Sequence, residues 1–535
     1  MDTQSLKEVF THHFQNLRSS KRLELLARTP FDLTAEEHLT AERISSYAVN
    51  GCGLKLLYGT QRVDEATIDA LEALAAETNA VKKMAFMQSG EILNSIYGHS
   101  SEMRAVLHTA ARDFFADPQT SAAAVEAKNL AFAEVEKLRH FMTDINRENK
   151  YSDMVIIGIG GSELGPKAIY EALLPEKAPD RNVHFLGNID PDAASIVLKD
   201  LNLKSTLVVV VSKTGTTLET RTNEEIFRNS FNNAGLDSNK HFIAVTSAKS
   251  PMDDKERYKE VFHMWDWIGG RYSSTGMPGA VPLAFAYGFE SFIDFLEGAN
   301  SIDKNALKSS ARENLPLMTA LLGIWNRNFL HMPVVAVIPY AQSLGRFPAH
   351  IQQLDMESNG KQIDKLGNHI SFDTGPIIFG EPGTNAQHSF FQLIHQGTTT
   401  FPTEFIAFKS PQTAESHKIN GTTSQEKLLA NVFAQALALA RGEKNENPNK
   451  NFPGNRPSSI LLGAEITPYA IGALLALYEH KIAFQGFIWN INSFDQMGVE
   501  LGKKLANRII DIFKDPKLGA DYAVENALIH QLDSF

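Results

Sequence analysis

The chain has 535 residues, 43% of them apolar and 21% charged, long enough for roughly two to four folded domains with ample core. Its net charge of −11 argues against nucleic acid or an anionic membrane as a bulk partner, but not against a small anionic substrate, since screening over about 8 Å leaves local charges to decide. A single cysteine, Cys52, excludes an intrachain disulfide. The opening MDTQSLKEVFTHHF lacks the apolar run of a secretory signal and no apolar stretch reaches a membrane span, so a soluble cytoplasmic protein is expected.

Leu6, Val9, Phe10, Phe14 and Leu17 recur at helical spacing and predict an amphipathic helix over 3–28. Leu54 and Leu56 alternate briefly between Gly51 and Gly59. Helical patterns follow over 64–78, 102–115 and 119–142, with His108 expected as a hydrogen-bonded core residue of the second. From 151 the texture changes. Met154–Ile157, Val183–Leu186, Leu207–Val211 and Phe242–Val245 are nearly continuous apolar runs, as strands covered on both faces should be, with helices near 163–174, 190–200 and 217–234. After a helical stretch over 289–330 the pattern returns. Val334–Ile338, Pro376–Phe379, Phe405–Phe408 and Ile460–Leu462 read as strands, and helices fall near 344–354, 385–396, 424–441 and 468–482.

The expected fold class is therefore α/β, with two doubly wound, mainly parallel βα sheet domains and a helical C-terminal arm. The division is 1–116, N-terminal helices packing mainly with the second domain; 117–290, the first βα domain; 291–497, the second; and 498–535, the last helix and a polar tail. The Asn-rich run 442–451 should be an exposed loop.

In such sheets ligands bind beyond the carboxyl ends of the strands, so the loops after strands are the places to look. After Ile157 stands Gly158-Ile159-Gly160-Gly161-Ser162-Glu163. A dinucleotide fingerprint would need glycine at 163, where a carboxylate instead repels pyrophosphate, yet Gly160 and Gly161 still let backbone approach a small ligand and Ser162 can donate. After Val211, Ser212-Lys213-Thr214-Gly215-Thr216-Thr217 brings hydroxyls, a lysine and a helix N-terminus together, as a phosphate monoester requires, without Walker spacing; Ser/Thr clusters also cap helices without binding anything.

Arg271, after Gly269-Gly270, can reach an anion or a developing oxyanion, or can pair with a carboxylate. The run Gln352-Gln353-Leu354-Asp355-Met356-Glu357-Ser358-Asn359-Gly360-Lys361 looks alone like a solvated turn. His388 lies near the head of a helix with His395 seven residues on, and no metal-spaced cluster joins them. Gln496 and Lys503, seven apart, would share one face of the last helix.

Six segments together, IGIGGSELGP, SKTGTT, IGGRYS, QQLDMESNGK, GEPGTNAQHSFFQLIHQGT and FDQMGVELGK, resemble in content and order the glucose-6-phosphate isomerase (phosphoglucose isomerase) family, over nearly the whole chain. The resemblance implies a sugar-isomerase-like three-layer αβα fold and a reversible isomerisation of glucose 6-phosphate and fructose 6-phosphate in glycolysis and gluconeogenesis. It implies Glu357 as the base that moves a proton between C1 and C2, His388 and Lys503 in ring opening, and Arg271 stabilising a cis-enediolate. Ser212, Lys213, Thr214, Gly215, Thr216 and Thr217 would bind the phosphate, with Gly161, Ser162, Gln353 and Gln496 lining the sugar site. It also implies a homodimer whose partner supplies the histidine. Neither metal nor cofactor is called for, because one carboxylate can take and return the proton.

The chain departs from the family at Gly215, where many relatives have phenylalanine, at Met497, where many have tryptophan, and at Ala386, where glycine is common. Physical chemistry agrees with the assignment. A positioned base supplies on the order of 10²–10⁴ in rate, so an oxyanion donor worth about 3–4 kcal/mol is needed beside it. The competing readings are a non-catalytic sugar-phosphate-binding regulator, which would need no proton-transfer set; an amidotransferring enzyme, which would need an N-terminal cysteine; and a dual glucose/mannose 6-phosphate isomerase.

Overall fold

The computed structural model describes residues 9–178, 180–413 and 417–534. Its first strands, β1 (Ala48–Gly51) and β2 (Leu54–Leu57), form an antiparallel hairpin whose two turn residues, Cys52 and Gly53, both have positive φ, the backbone a tight two-residue hairpin requires. Five parallel strands follow: β3 (Asp153–Ile157), β4 (Asn182–Leu186), β5 (Thr206–Val211), β6 (Phe242–Thr246) and β7 (Glu260–His263), in the order β4-β3-β5-β6-β7. All six residues of β5, TLVVVV, are buried. Each fully buried valine of this kind contributes about 1.5–3 kcal/mol, which is why the central strand has no polar face. Val155, Ile157, Val208, Val210 and Phe242 pack against Ala194, Phe227 and Phe231 from the helices Pro191–Lys199 and Leu218–Asn233. The helix Met277–Tyr287, buried over Met277–Ala286, lies against β3, β4 and the helices Ala122–Glu148 and Leu164–Ala172.

The second sheet adds β8 (Val334–Pro339), β9 (Ile377–Phe379), β10 (Thr403–Phe408) and β11 (Ser458–Gly463), with the order β1-β2-β11-β10-β8-β9. These four are mutually parallel, and β2 joins β11 antiparallel, so the N-terminal hairpin completes a sheet made mostly from the second half of the chain. Two long helices, Phe289–Asn305 and Pro468–Trp489, pack along each other. Their backbones nearly touch, because a Cβ on Gly298 would overlap the backbone of Tyr469 and one on Gly472 that of Phe295.

The chain divides after Ser493 into two units. The second is helical, with Glu500–Lys514 and Ala523–His530 tied by a 3.1 Å ion pair between Arg508 and Glu525. No helix among the described residues is long and apolar enough to cross a membrane.

The eight predicted strands are present within two residues at each end, and the loop 442–451 is exposed apart from the half-buried Gly442. Several elements differ. The helix expected over 3–28, whose Leu6 lies outside the described residues, is a short 3₁₀ turn, Phe14–Asn16, and a helix, Arg18–Leu26. Asn490 donates to the carbonyls of Phe10 and His12, and His13 and Leu17 are extended, so tertiary bonds interrupt the helical periodicity. No α-helix forms over 102–115. Arg104 bridges to Asn94, Leu107 N–H donates to Trp267 O, and His108–Arg112 is a 3₁₀ turn. The strand β7 and the helices Ala80–Ser89 and Met277–Tyr287 had no predicted counterpart, and the helix foreseen over 468–482 runs on to Trp489. The polar tail after the last predicted helix carries a further helix, Ala523–His530.

Candidate active site

The helix Phe347–Gln352 does not end at its last regular turn but widens into a π-helical turn, Gln353–Glu357. Such single wide turns insert one residue into a helix and re-aim the side chains that follow, and they are frequent at functional sites. Glu357 stands at the end of this one with its side chain 23% exposed. The next two residues are fully buried, contrary to the look of a solvated Asn-Gly turn. Asn359 Nδ2 donates to Ile482 O at 3.1 Å, and its Oδ1 accepts from Ser493 Oγ at 2.7 Å. The polarity of this stretch is spent inside the protein.

Facing Glu357 is Arg271, on a 3₁₀ turn, Gly270–Tyr272, beyond β7. Its Nη1 lies 3.4 Å from Glu357 Oε2, its Nε donates to Ser358 Oγ at 2.6 Å, and its Nη2 donates to Ser493 O at 2.7 Å. The arginine side chain is 1% exposed, so the pair is a buried guanidinium against a carboxylate that still meets solvent. The loop after β3 reaches the same place. A Cβ on Gly161 would overlap Gly270 and fall 2.6 Å from Arg271 N, so only glycine permits the approach, and Ser273 Oγ donates to Gly270 O at 2.7 Å and Gly161 O at 3.4 Å. A Cβ on Gly160 would lie 3.2 Å from Gln353 Nε2, which places Gln353 over this loop; its Oε1 is buried with no hydrogen-bond partner among the described residues. Ser162 closes the 3₁₀ turn that precedes the helix Leu164–Ala172.

The loop after β5 joins through Lys213. Its Nζ donates to Ile268 O at 3.0 Å and Asp266 O at 3.2 Å and lies 3.4 Å from Asp266 Oδ1, binding this loop to the segment that leads into Arg271. Burial lowers the lysine pKa from its usual value, with Arg104 adding to the effect and Asp266 opposing it. Ser212 Oγ and Thr217 Oγ1 are 2.9 Å apart, as are Thr214 Oγ1 and Thr216 Oγ1, and Gly215 N–H donates to Ser212 Oγ at 3.1 Å. Thr217 is the N-cap of the helix Leu218–Asn233, yet its side chain makes no capping bond. The hydroxyl cluster is therefore not a cap, and it stands at the positive end of a 16-residue helix.

The structure thus brings together Gly161, Ser162, Arg271, Gln353, Glu357 and, through Lys213, the 212–217 loop. His388 is exposed at the end of a 3₁₀ turn, Asn385–His388, and His395 sits on a separate short helix, Phe391–Gln396, where it bonds to Gln435. The two do not share one helix as foreseen. In the C-terminal unit Lys503 pairs with Glu500 at 2.8 Å on the exposed side of its helix. Gln496 precedes that helix, ahead of a 3₁₀ turn, Met497–Val499, so it and Lys503 are not two turns apart on one face.

Residues 57–529 match the family profile described as phosphoglucose isomerase. The chain is 54% identical over 527 residues to a glucose-6-phosphate isomerase of Protochlamydia amoebophila, covering 98% of each, and 51% identical to that of Chlamydia pneumoniae, covering 95% of each. The crystal structure of a glucose-6-phosphate isomerase from Chlamydia trachomatis superposes with a TM-score of 0.94 at 50% identity, over 97% of this chain and all of that one. The chain belongs to the phosphoglucose isomerase family. Its enzyme class is that of an intramolecular aldose–ketose isomerase, and its two parallel-sheet architecture is the family's.

Within the family pattern, Gly215 has φ of 68°, and a Cβ there would come within about 3.1–3.3 Å of Pro251, Ser250 and Met252. At this positive φ a side chain would be strained, so the loop after β5 is built for glycine here. Ala386 is fully buried against Tyr340 and Phe391. Sequence reasoning missed Ser358, Tyr272 and Ser493 as neighbours of Arg271; the first two were in plain view inside the MESNGK and GGRYS segments. It also missed Asp355, buried on the π-turn two residues before Glu357, with Oδ1 unpartnered among the described residues.

Burial pushes the Asp355 pKa from 3.8 up to about 7, against the pull of Lys481 and with a contribution from Glu404. The folded protein therefore holds a proton that the unfolded chain releases, and the resulting stability is fully present below about pH 4 and lost as pH rises through about 7. A tenfold difference in proton affinity between the folded and unfolded chain is worth about 1.4 kcal/mol. Urea unfolding from pH 4 to 8 should show Asp355→Asn losing less stability than the parent over that range, by a few kcal/mol; parallel curves would show Asp355 to be ionised throughout.

Proposed function

We propose that the chain interconverts glucose 6-phosphate and fructose 6-phosphate by opening the ring and moving a proton between C1 and C2 through a cis-enediolate. The observation that carries this reading is the Arg271–Glu357 pair. A carboxylate open to solvent stands 3.4 Å from a buried guanidinium, which is the juxtaposition of base and oxyanion stabiliser that the reaction needs. Glu357 takes and returns the proton. Arg271 balances the charge that develops on the enediolate oxygens. The hydroxyls and backbone amides of 212–217, at the head of their helix, anchor the phosphate and so contribute binding energy remote from the reacting carbons. Gly161, Ser162, Gln353 and Gln496 line the sugar. His388 and Lys503 open the ring, with the histidine coming from the partner of a homodimer. Their support is the match of this chain to the family's motifs, as is that for a cytoplasmic, glycolytic and gluconeogenic setting.

Incubation with fructose 6-phosphate in D₂O, followed by NMR, tests the reading. Glucose 6-phosphate should appear with deuterium at C2. Folded protein that produces none would overturn it.

A further inference from the structure

Beyond the pair itself, the structure shows how Arg271 is held: besides Ser493 O on Nη2, two residues outside the family's catalytic set take part. Consecutive side chains, Arg271 and Tyr272, converge on one hydroxyl. Arg271 Nε donates to Ser358 Oγ at 2.6 Å and Tyr272 Oη lies 3.1 Å from the same oxygen. Ser358 directly follows Glu357 and is fully buried. A serine oxygen has two lone pairs and one proton, so it can serve both partners at once.

The phenol is itself fixed. Tyr272 is buried and stacks on His108, ring centroids 4.7 Å apart, and burial pushes its pKa up to about 12, so it stays protonated. His108 in turn lies 3.9 Å from Glu479, beside the buried ion pairs of Arg112 with Asp303 and Glu479; burial and Arg112 lower its pKa, and, against the hydrogen-bonded residue expected, neither ring nitrogen has a hydrogen-bond partner among the described residues.

A guanidinium is a planar fork of donors, so the bond at Nε, together with those at Nη1 and Nη2, fixes its plane. We propose that Ser358 and Tyr272 are positioning residues for proton transfer: they lock the loop bearing Arg271 to the turn bearing Glu357, so that oxyanion stabiliser and base move as one body. This inference rests on the reading of Glu357 and Arg271 given above. Neither residue touches substrate in this scheme. Their loss should therefore be felt in the chemical step and not in binding.

The test is steady-state kinetics with fructose 6-phosphate on Ser358→Ala, Tyr272→Phe and the double variant, beside the parent and Glu357→Gln. Misplacement of a reacting group by about 1 Å costs on the order of 10²-fold. We expect kcat to fall roughly 10–100-fold in Ser358→Ala, on that same scale of misplacement, and less in Tyr272→Phe, with KM within about twofold of the parent. The double variant should be no worse than Ser358→Ala alone, since both changes act through one oxygen.

Unchanged kcat in both single variants, KM rising in step with any fall in kcat, or effects that simply multiply in the double variant would each overturn the proposal. Tyr272→Phe keeps the ring and its stack on His108, so it decides the matter should Ser358→Ala not fold. An inactive parent would instead overturn the isomerase reading itself, and an active parent with a fully active Glu357→Gln would remove the base; both are distinct from failure of the positioning role.

Discussion

Glu357→Gln abolishes proton transfer between C1 and C2, lowering kcat by at least about 10³-fold, while affinity for the sugar phosphate stays within a few-fold. The expectation follows from geometry as much as from chemistry. Glutamine has the shape of glutamate and can fill the same place at the end of the π-turn, so the 212–217 loop and its tie through Lys213 to the Arg271 segment are left as they are. What is lost is the basic oxygen, and with it the counter-charge 3.4 Å from Arg271 Nη1. A buried guanidinium deprived of that partner attracts the phosphate sugar no less, which is why binding should survive. Single-turnover NMR in D₂O and equilibrium binding of fructose 6-phosphate separate the two quantities. Retained turnover would take the base role away from Glu357.

The largest stability effect should come from a residue outside the proposed catalytic and binding set. Arg112 is fully buried, donates Nε and Nη2 to both oxygens of Asp303 at 2.8 and 2.7 Å, and donates Nη1 to Glu479 at 2.7 Å. Arg112→Met leaves two buried carboxylates without the guanidinium that bridges them. Breaking a buried pair in this way costs about 3–5 kcal/mol, a large share of the roughly 5–15 kcal/mol by which a typical domain is stable.

Urea unfolding at pH 7 reads the loss. Replacing Asp303 and Glu479 by leucine together with Arg112→Met should recover most of it, because neither carboxylate then remains to be buried as a charge. The pH dependence gives a second check. Burial alone would raise the Asp303 pKa, but Arg112 and His480 hold it at about 2, so its contribution is present above about pH 4 and lost only as pH falls through 2. In Arg112→Met that support is gone and Asp303 takes up a proton nearer neutrality. The deficit relative to the parent should shrink in mild acid. A deficit independent of pH would mean that lost packing, not unpaired charge, sets the cost.

Much of the fold could be read from the chain, and the failures share a cause. Runs such as Leu207–Val211 have no polar face, so they announce a buried parallel strand whatever surrounds them. Residues 102–115 carry a helical pattern too, but their conformation is set by distant partners: Trp267 O for the Leu107 N–H and Asp303 for the Arg112 side chain. Local periodicity cannot see those. The same holds at the site. Glycine pairs and hydroxyl clusters marked the loops after β3 and β5, and the family motifs marked Glu357 and Arg271. The burial of Ser358 and Asn359 was hidden, because Ser-Asn-Gly has the composition of a surface turn and only the contacts to Arg271, Tyr272 and Ser493 make it an interior one. The order of His388 and Lys503 along the chain was visible, but their surroundings depend on 3₁₀ turns that break the helical phase assumed for them.

The order of the strands also sets a schedule for synthesis. The first sheet uses residues 153–263 in one continuous block and can assemble as soon as that block leaves the ribosome. The second cannot. Its β2 is made about 400 residues before β11, the strand it pairs with. At about 5–20 residues per second, the nascent hairpin spends roughly 20–80 s without that neighbour. During this time Leu54 and Leu56, both buried in the finished sheet, have β1 on one side and an open edge on the other. The N-terminal hairpin is made early and among the last parts to be closed in, so its open edge is the longest-lived unpaired strand edge of the second sheet during translation.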